Sequence, residues 1–214
     1  MRRLAALTAA TALSASCCAI ALGAGSEGTA VRAAASKSLV GTFKLDPGRF
    51  SGGKPSGSYL RMSQPDGSAY PNPDSTASDK SYTLMKPGTD GGLATGRFQS
   101  PPSPAFDGKG NSLAKRIMRP VGFTAIRFGV YTSSKANSKP PSISVSGKKL
   151  SGQVLAFSAA WNKQTFNQGS SNVTGTYNSK TRHYVLKWTA RIKGGAFNSF
   201  QGTWHLEGTF KPRG

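Results

Sequence analysis

The chain of 214 residues carries 28 Lys and Arg against 8 Asp and Glu, a formal net charge of +20, and only 2 His and 2 Cys. Both cysteines lie within the first 23 residues, so removal of that segment would leave no thiol for catalysis, disulfides or metal binding. The sequence has no Gly-x-Ser-x-Gly elbow, Walker loop or His-Glu-x-x-His motif, and no cofactor is predicted.

The first 23 residues are predicted to be a secretory signal peptide. Two arginines precede an Ala- and Leu-rich stretch over residues 4–22, and Ala21-Leu22-Gly23 fits the small-x-small pattern of a cleavage site. A lipid-modified Cys17 is the alternative. It is disfavoured because Ser14 stands where a bacterial lipobox requires an aliphatic residue.

Removal of the signal leaves a Ser-, Ala- and Gly-rich stretch over residues 24–38, which is predicted to be a flexible leader. Residues 39–214 have the length of a single domain. No later segment is apolar enough to span a bilayer, so we expect a secreted or cell-surface monomer without a transmembrane segment in its mature chain.

Alternating apolar and polar residues predict an all-β domain. In Tyr184 to Ile192 every second residue is apolar, and the same pattern runs through Phe200 to Phe210. Gly194-Gly195 between them indicates a hairpin. Further strands are predicted over residues 39–45, 58–62, 81–85, 93–99, 123–132, 142–145, 150–161 and 173–177.

These elements indicate an antiparallel barrel or β-sandwich of about 8–10 strands, since dense Gly and Pro turn signals separate them. One short helix is expected near residues 112–119, capped by Asn111 or Ser112 and ended by Pro120.

The domain opens on VGTFK, residues 40–44, and closes on EGTFK, residues 207–211. In both segments Gly and Phe share one side of a strand, while Thr and Lys share the other. An inward Gly leaves a gap that an aromatic ring on the neighbouring strand can cover. We therefore predict that these first and last strands pair with each other.

The charge is unevenly distributed. Residues 37–107 carry eight Lys and Arg and six Asp, whereas residues 108–206 carry fifteen Lys and Arg and no acid. Such a segment attracts polyanions, which predicts an anionic polymer or glycan outside the cell as partner. Specific nucleic acid readout is not expected, because the basic strand 185–193 has no aromatic residue on its charged side. The candidate residues are Lys115, Arg116, Arg119, Lys187, Arg191 and Lys193.

A sugar or small-ligand pocket is the alternative function. The segments 161–172 and 197–204 combine aromatic residues with amides, which is the chemistry of sugar stacking and hydrogen bonding. Core aromatics flanked by turn amides would give the same pattern. The candidates are Trp161, Asn162, Asn167, Gln168 and Asn198.

Two weaker hypotheses concern catalysis and metal binding. His205 and Glu207 lie two residues apart on one side of a strand and form a candidate hydrolase-type pair, although exposed polar pairs of this kind are common. Aspartates in Gly- and Ser-rich loops are weak calcium candidates without an EF-hand spacing. They are Asp66, Asp74, Asp79 and Asp90.

Overall fold

The computed structural model of the protein describes residues 35–214; the predicted signal peptide, Cys17 and the first part of the predicted leader lie outside the described residues. Within 35–214 the chain forms seventeen β-strands, and its one helical element is a 3₁₀ turn over Gly195–Phe197. The strands are β1 (Lys37–Ser38), β2 (Gly41–Leu45), β3 (Arg49–Ser51), β4 (Lys54–Ser56), β5 (Tyr59–Ser63), β6 (Ala69–Tyr70), β7 (Tyr82–Leu84), β8 (Gly92–Ala94), β9 (Val121–Phe123), β10 (Ile126–Thr132), β11 (Ser142–Ser146), β12 (Lys149–Gln153), β13 (Phe157–Trp161), β14 (Gln164–Asn167), β15 (Val173–Tyr177), β16 (His183–Arg191) and β17 (Gln201–Pro212).

The strands form three antiparallel sheets. The large sheet has the order β1-β11-β12-β15-β16-β17-β2-β8, with β5 also paired to β17 and with β6 and β7 paired to β5. It curls into a half-barrel. A second sheet has the order β14-β13-β10-β9, and β3 and β4 form a separate hairpin. The predicted all-β antiparallel class is confirmed, with strands that are shorter and more numerous than expected.

Strand β17 organises the large sheet. It pairs with β16 along one edge, from Gln201 opposite Arg191 to Thr209 opposite His183. On its other edge the first half pairs with β5 and the second half with β2. Phe210 lies directly opposite Phe43, so the predicted pairing of the VGTFK and EGTFK segments is confirmed.

The alternation read from the sequence sets the inner side of this sheet. Leu186, Trp188 and Ala190 of β16 are buried, as is Tyr184, while Lys187 and Thr189 between them are exposed. An aromatic ring lies beside one of the inward glycines, because a Cβ atom at Gly41 would meet the Phe210 ring at 2.9 Å as well as the Lys211 oxygen. Gly208 lies opposite Tyr184, but a Cβ atom there would meet backbone atoms of Lys44 and Asp46.

An aromatic core joins the large sheet to the four-stranded sheet. Phe157 of β13 packs edge-on against Trp188 and Trp204, with ring centroids 5.2 and 4.9 Å apart. The two indole N–H groups donate to Gln168, one to its backbone oxygen at 2.9 Å and one to its side-chain oxygen at 3.1 Å. These bonds satisfy polar groups that would otherwise be costly to bury.

The helix predicted near residues 112–119 does not form. Residues 116 and 117 lie in a bend, and the carbonyl oxygens of residues 115–117 accept hydrogen bonds from the backbone of residues 88–90 at 2.9 to 3.0 Å. The Arg119 N–H donates back to the Lys86 oxygen at 3.0 Å. Tertiary pairing between the two segments therefore outweighs the local capping signal, which is a weak preference by itself.

Two predicted boundaries also change. The strand predicted over residues 150–161 divides into β12 and β13, which belong to different sheets. Leu39 was predicted to begin the domain, but Lys37 and Ser38 of the predicted leader already pair with Val145 and Ser144 at the edge of the large sheet. Strand β11 would otherwise be the edge of this sheet, and its free backbone groups pair with β1. The domain therefore includes residues 37 and 38.

Candidate functional site

The outward side of the large sheet is rich in hydroxyl and cationic side chains. Cross-strand neighbours form a continuous row from Ser151 through Thr174 and Lys187 to His205. This surface is here called the cationic face. Its exposed residues are Arg61, Lys149, Ser151, Thr174, Thr176, Lys187, Thr189, Arg191, Lys193, Gln201 and Thr203.

The cationic face covers five neighbouring strands, β12, β15, β16, β17 and β5. Strands lie about 4.8 Å apart, so the face is roughly 19 Å wide. Side chains directly opposite each other on one side of a sheet lie about 5 Å apart. Hydroxyl donors therefore lie between the cations, and both groups bind anionic oxygens.

The cations of the basic segment are almost all free of acidic partners. Among the ion pairs of residues 35–214, only Arg116 of the fifteen Lys and Arg in 108–206 lies within reach of a carboxylate, that of Asp90 at 2.9 Å. Arg116 is half-buried, whereas the other fourteen side chains are exposed. The positive charge of this segment is therefore available to a ligand.

The structure divides the six cations predicted to bind a polyanion. Lys187 and Arg191 lie on the cationic face, with Lys193 two residues beyond Arg191. Lys115 and Arg119 line a separate surface groove of about 740 Å³ with Arg127, Leu113 and the carboxylate Asp107. Arg116 is directed to Asp90 and forms part of the fold.

Asp90 is a structural carboxylate. Its Oδ2 atom accepts hydrogen bonds from Gln99 Nε2 at 2.9 Å and Arg116 Nε at 3.1 Å, and Arg97 lies 3.7 Å away. Burial raises the pKa of Asp90, but the hydrogen bonds from Gln99 and Arg116 and the charges of both arginines outweigh it, so the pKa lies below its ordinary value.

Both histidines of the chain converge on Glu207. His205 Nε2 lies 3.3 Å from Glu207 Oε2, and His183 Nε2 lies 3.3 Å from Glu207 Oε1. The predicted pair of His205 and Glu207 is thus in contact. His183 joins them because β16 and β17 lie side by side, with His183 opposite Thr209.

Glu207 also makes hydrogen bonds at the point where the pairing partner of β17 changes from β5 to β2. Its Oε2 atom accepts a hydrogen bond from the Gly57 N–H at 3.2 Å, and its backbone oxygen accepts one from the Asp46 N–H at 2.7 Å. The Ser58 hydroxyl oxygen accepts the Glu207 N–H at 3.1 Å. The carboxylate therefore has a structural task beside its contacts with the histidines.

His205 is the more enclosed of the two histidines, with a side chain 12% exposed against 45% for His183. Its ring stacks on Tyr59 at 4.5 Å, and its buried Nδ1 atom has no hydrogen-bond partner among the described residues. Burial lowers the pKa of His205, and the charge of Lys187 adds to this, against the raising effect of Glu207.

The predicted sugar-binding residues do not gather around one exposed platform. Trp161 is half-buried, donates its indole N–H to the Phe123 oxygen at 2.7 Å and packs on Phe197. Gln168 is buried beneath the two core tryptophans. A cavity of about 30 Å³ lies beside these aromatic side chains, far below the roughly 300–1,000 Å³ of typical ligand pockets.

The three predicted asparagines are exposed and stabilise turns. Asn162 has a φ of 48° in the two-residue turn between β13 and β14. The Asn167 side-chain oxygen accepts the Gly169 N–H at 2.8 Å, and that of Asn198 accepts the Gly194 N–H at 2.8 Å. Local bonds of this kind are the usual work of Asn in loops.

The other aspartates predicted as calcium candidates stabilise loops. Asp66 accepts from Ser68, and Asp79 accepts from the Ser81 N–H. Asp74 accepts the Ala125 N–H at 2.6 Å across the chain. In the described part of the chain, no three His, Cys, Asp or Glu side chains are grouped so that they could hold a metal ion.

Sequence reasoning missed two cations of the cationic face, Arg61 and Lys149. Each belongs to a short strand that pairs with a neighbour of β16 or with β17. Period-two alternation places a residue on one side of its own strand, but only the register between strands shows which side chains become neighbours.

No protein-family model, curated protein or solved structure matches the chain. The part of the chain that the structure describes contains no helix with the length and apolar character needed to cross a membrane.

Proposed function

We propose that the protein is a binding protein that associates, outside the cell, with an anionic polymer through the cationic face. The observation that supports this proposal is that cations of this face have no acidic partner in the described structure. Lys149, Lys187 and Arg191 are exposed on one side of one sheet and lie within reach of no carboxylate in residues 35–214.

Geometry favours the face over the groove as the polymer site. A polymer presents repeated charges, and the face offers cations on β5, β12 and β16 with hydroxyl donors between them. The groove combines three cations with the carboxylate of Asp107 and the exposed side chain of Leu113. Its mixed lining suits repeated anionic groups less well.

Binding to three charged polymers over a salt series tests the proposal. The probes are poly(glycerol phosphate), polygalacturonate and dextran sulfate, with neutral dextran as the uncharged comparison. Each neutralised polymer charge releases counterions, so the logarithm of the affinity should fall linearly with the logarithm of salt concentration. Absence of binding at low salt, or an affinity independent of salt, would contradict the proposal.

A charge-matched set of variants locates the site. Lys149→Gln, Lys187→Gln and Arg191→Gln together should weaken binding at least tenfold in 50 mM salt and make the salt slope shallower by roughly 2, at about 0.7 per lost contact. The control removes the same charge from exposed positions off the face, with Lys54→Gln, Lys109→Gln and Lys135→Gln. Equal losses in both triple variants would show general attraction to net charge and no site on the face.

The groove provides the second comparison. A variant combining Lys115→Gln, Arg119→Gln and Arg127→Gln also loses three charges. Its affinity should follow that of the control. A larger loss than in the face variant would place the polymer in the groove.

A further inference from the structure

The two histidines of the chain lie at the border of the cationic face. Lys187 of the face is directly opposite His205 in the pairing of β16 with β17. His183 begins β16 and reaches the same carboxylate as His205, that of Glu207. Charge changes at the two imidazoles therefore occur beside Lys187.

The groups that face these rings come from three strands. On β16 they are Lys187 and His183, on β17 Glu207, and on β5 the stacked ring of Tyr59. Tyr59 remains neutral over the range in which histidine titrates, because burial raises the pKa of its hydroxyl above the ordinary 10.0, with further contributions from Tyr82 and Glu207.

Near pH 8 the two imidazoles and the Glu207 carboxylate together bear a single negative charge, which reduces the attraction of a polyanion to the neighbouring Lys187. Protonation of both rings changes the charge of these three groups from −1 to +1, which is a gain of two positive charges on the border of the face. The imidazolium of His183, the more exposed ring, is also a charge-assisted donor to anionic oxygens.

We propose that His183 is an additional polymer-binding residue, which joins the cationic face when it is protonated, and that a protonated His205 adds its charge beside Lys187. This inference rests on the proposed function of the face. It adds a specificity for acidic surroundings, so the protein is retained on its polymer where the medium is acidic and released where it is not.

The location of His205 sets the order of events. Its ring is enclosed and its Nδ1 atom has no hydrogen-bond partner in residues 35–214, so a proton added there has no acceptor in this part of the chain. A bound polyanion stabilises the charged ring and by linkage raises the pKa of His205 in the complex. His183 is the more exposed ring and is the more direct contact for the polymer.

The test measures the dissociation constant for dextran sulfate at pH 8.0 and pH 5.0 at one ionic strength. Sulfate esters do not titrate in this range, and histidine is the side chain whose ordinary pKa falls within it. We expect at least fivefold tighter binding at pH 5.0 and a salt slope steeper by about 1.4, from two added charges at about 0.7 each. The double variant His183→Gln, His205→Gln should lose this gain, so that its affinities at pH 5.0 and pH 8.0 agree.

A second variant carries the test if the double variant folds poorly. His183→Arg places a permanent charge at the exposed position, so its binding at pH 8.0 should be tighter than that of the unaltered protein and its pH dependence smaller. Tight binding at both pH values without a difference would overturn the inference and leave the proposed function standing. No binding at either pH would contradict the proposed function itself.

Discussion

The side chain of His205 contacts residues of its own strand, β17, and of the neighbouring strand β5. Its Nε2 atom contacts Glu207, its ring stacks on Tyr59, and its buried Nδ1 atom has no partner within the described part of the chain. A neutral ring tolerates an unused acceptor at Nδ1, whereas a charged ring would leave an unused N–H donor there. The folded protein therefore disfavours protonation of this ring.

This arrangement predicts acid sensitivity below neutral pH. The pKa of His205 in the folded protein lies below the ordinary 6.5, chiefly because of burial, so the unfolded chain takes up the proton first as the pH falls. The contribution to stability is complete above pH 6.5 and is lost as the pH falls from 6.5 toward the folded pKa, at about 1.4 kcal/mol per unit of difference. Urea unfolding of the free protein between pH 7.5 and 5.5 should show this decline.

The matched variant is His205→Gln, which removes the titrating group and keeps a polar side chain. Its free energy of unfolding should be lower at pH 7.5 and should change less toward pH 5.5. A decline as steep as that of the unaltered protein would assign the effect to another group.

For single residues, the sequence predicted which side of its strand a side chain occupies better than it predicted which side chains contact each other. The placement of His205 and Glu207 on one side of β17 follows from their spacing of two. The arrival of His183 at the same carboxylate depends on the register of β16 against β17, which no local pattern contains. Gln168 was predicted to bind ligand from its neighbours in sequence, yet its side-chain oxygen accepts the Trp204 indole N–H and its backbone oxygen accepts the Trp188 indole N–H.

Among the elements, the irregular segments 86–90 and 115–119 depend on one carboxylate. Asp90 joins them to residues 97–99 through Arg116, Arg97 and Gln99. Backbone hydrogen bonds run between the two segments, but neither belongs to one of the three sheets. The side-chain contacts of Asp90 therefore fix the position of this part of the molecule.

Asp90→Asn should lower the free energy of unfolding by about 1–3 kcal/mol, since hydrogen bonds to a charged group are replaced by weaker ones and Arg116 loses its counterion. The partly exposed arginines contribute the smaller share, because solvent screens their charge. Denaturant unfolding at pH 7 measures the loss. The control is Asp79→Asn, at an exposed carboxylate that accepts a bond within its own loop, with a much smaller expected change. Equal losses would refute the structural role of Asp90.

Strands were predicted correctly where the alternation of apolar and polar residues was long. Elements were predicted wrongly where pairing with a distant segment decided the structure. Strands β16 and β17 carry nine and twelve residues of clear alternation. The break within residues 150–161 lies after Gln153. It contains the buried residues Val154 and Ala156 and no polar residue, so nothing within it marks the point where the chain changes sheets. The turn between β9 and β10 has Thr124 and Ala125 at positive φ, without the glycine or asparagine that usually announces such a turn.

For the whole molecule, the pairing of β2 with β17 joins segments more than 160 residues apart in the chain. Phe210 is buried, and its ring lies 4.8 Å from that of Phe43. Contacts of such long range make the fold cooperative, because either strand lacks a partner without the other.

Removal of residues 208–214 should therefore abolish cooperative unfolding, which circular dichroism and denaturant titration would show. The control removes residues 213–214, which takes away the single backbone hydrogen bond from Arg213 to Val40. Phe210→Ala is the milder test, with an expected cost of about 3–5 kcal/mol for a buried ring. If the variants lacking residues 213–214 and residues 208–214 both unfold cooperatively, the pairing of β2 with β17 is dispensable.

The class of fold was predictable at this scale because turn residues and short alternating strands point to antiparallel sheets. The division of the chain into a curled large sheet and a smaller packed sheet was not predictable, because it depends on which strand edges remain free to pair. The cationic face has the same origin: its charge was visible in the composition, and its shape arose from the order of the strands.

The neighbouring positions of Gly41 and Pro212 also bear on how the chain can be rearranged. Paired residues of an antiparallel ladder lie about 5 Å apart, and residues 35–40 and 213–214 extend beyond this pair in the described chain, so a flexible linker of about ten residues from Gly214 to residue 35 would close the chain. New ends could then be opened between Gly52 and Gly53, where a Cβ atom built on either glycine would meet nothing within 4 Å in the described structure. The protein is thus a scaffold for circular permutation, with the cationic face kept intact and a fusion partner attached at the β3–β4 hairpin.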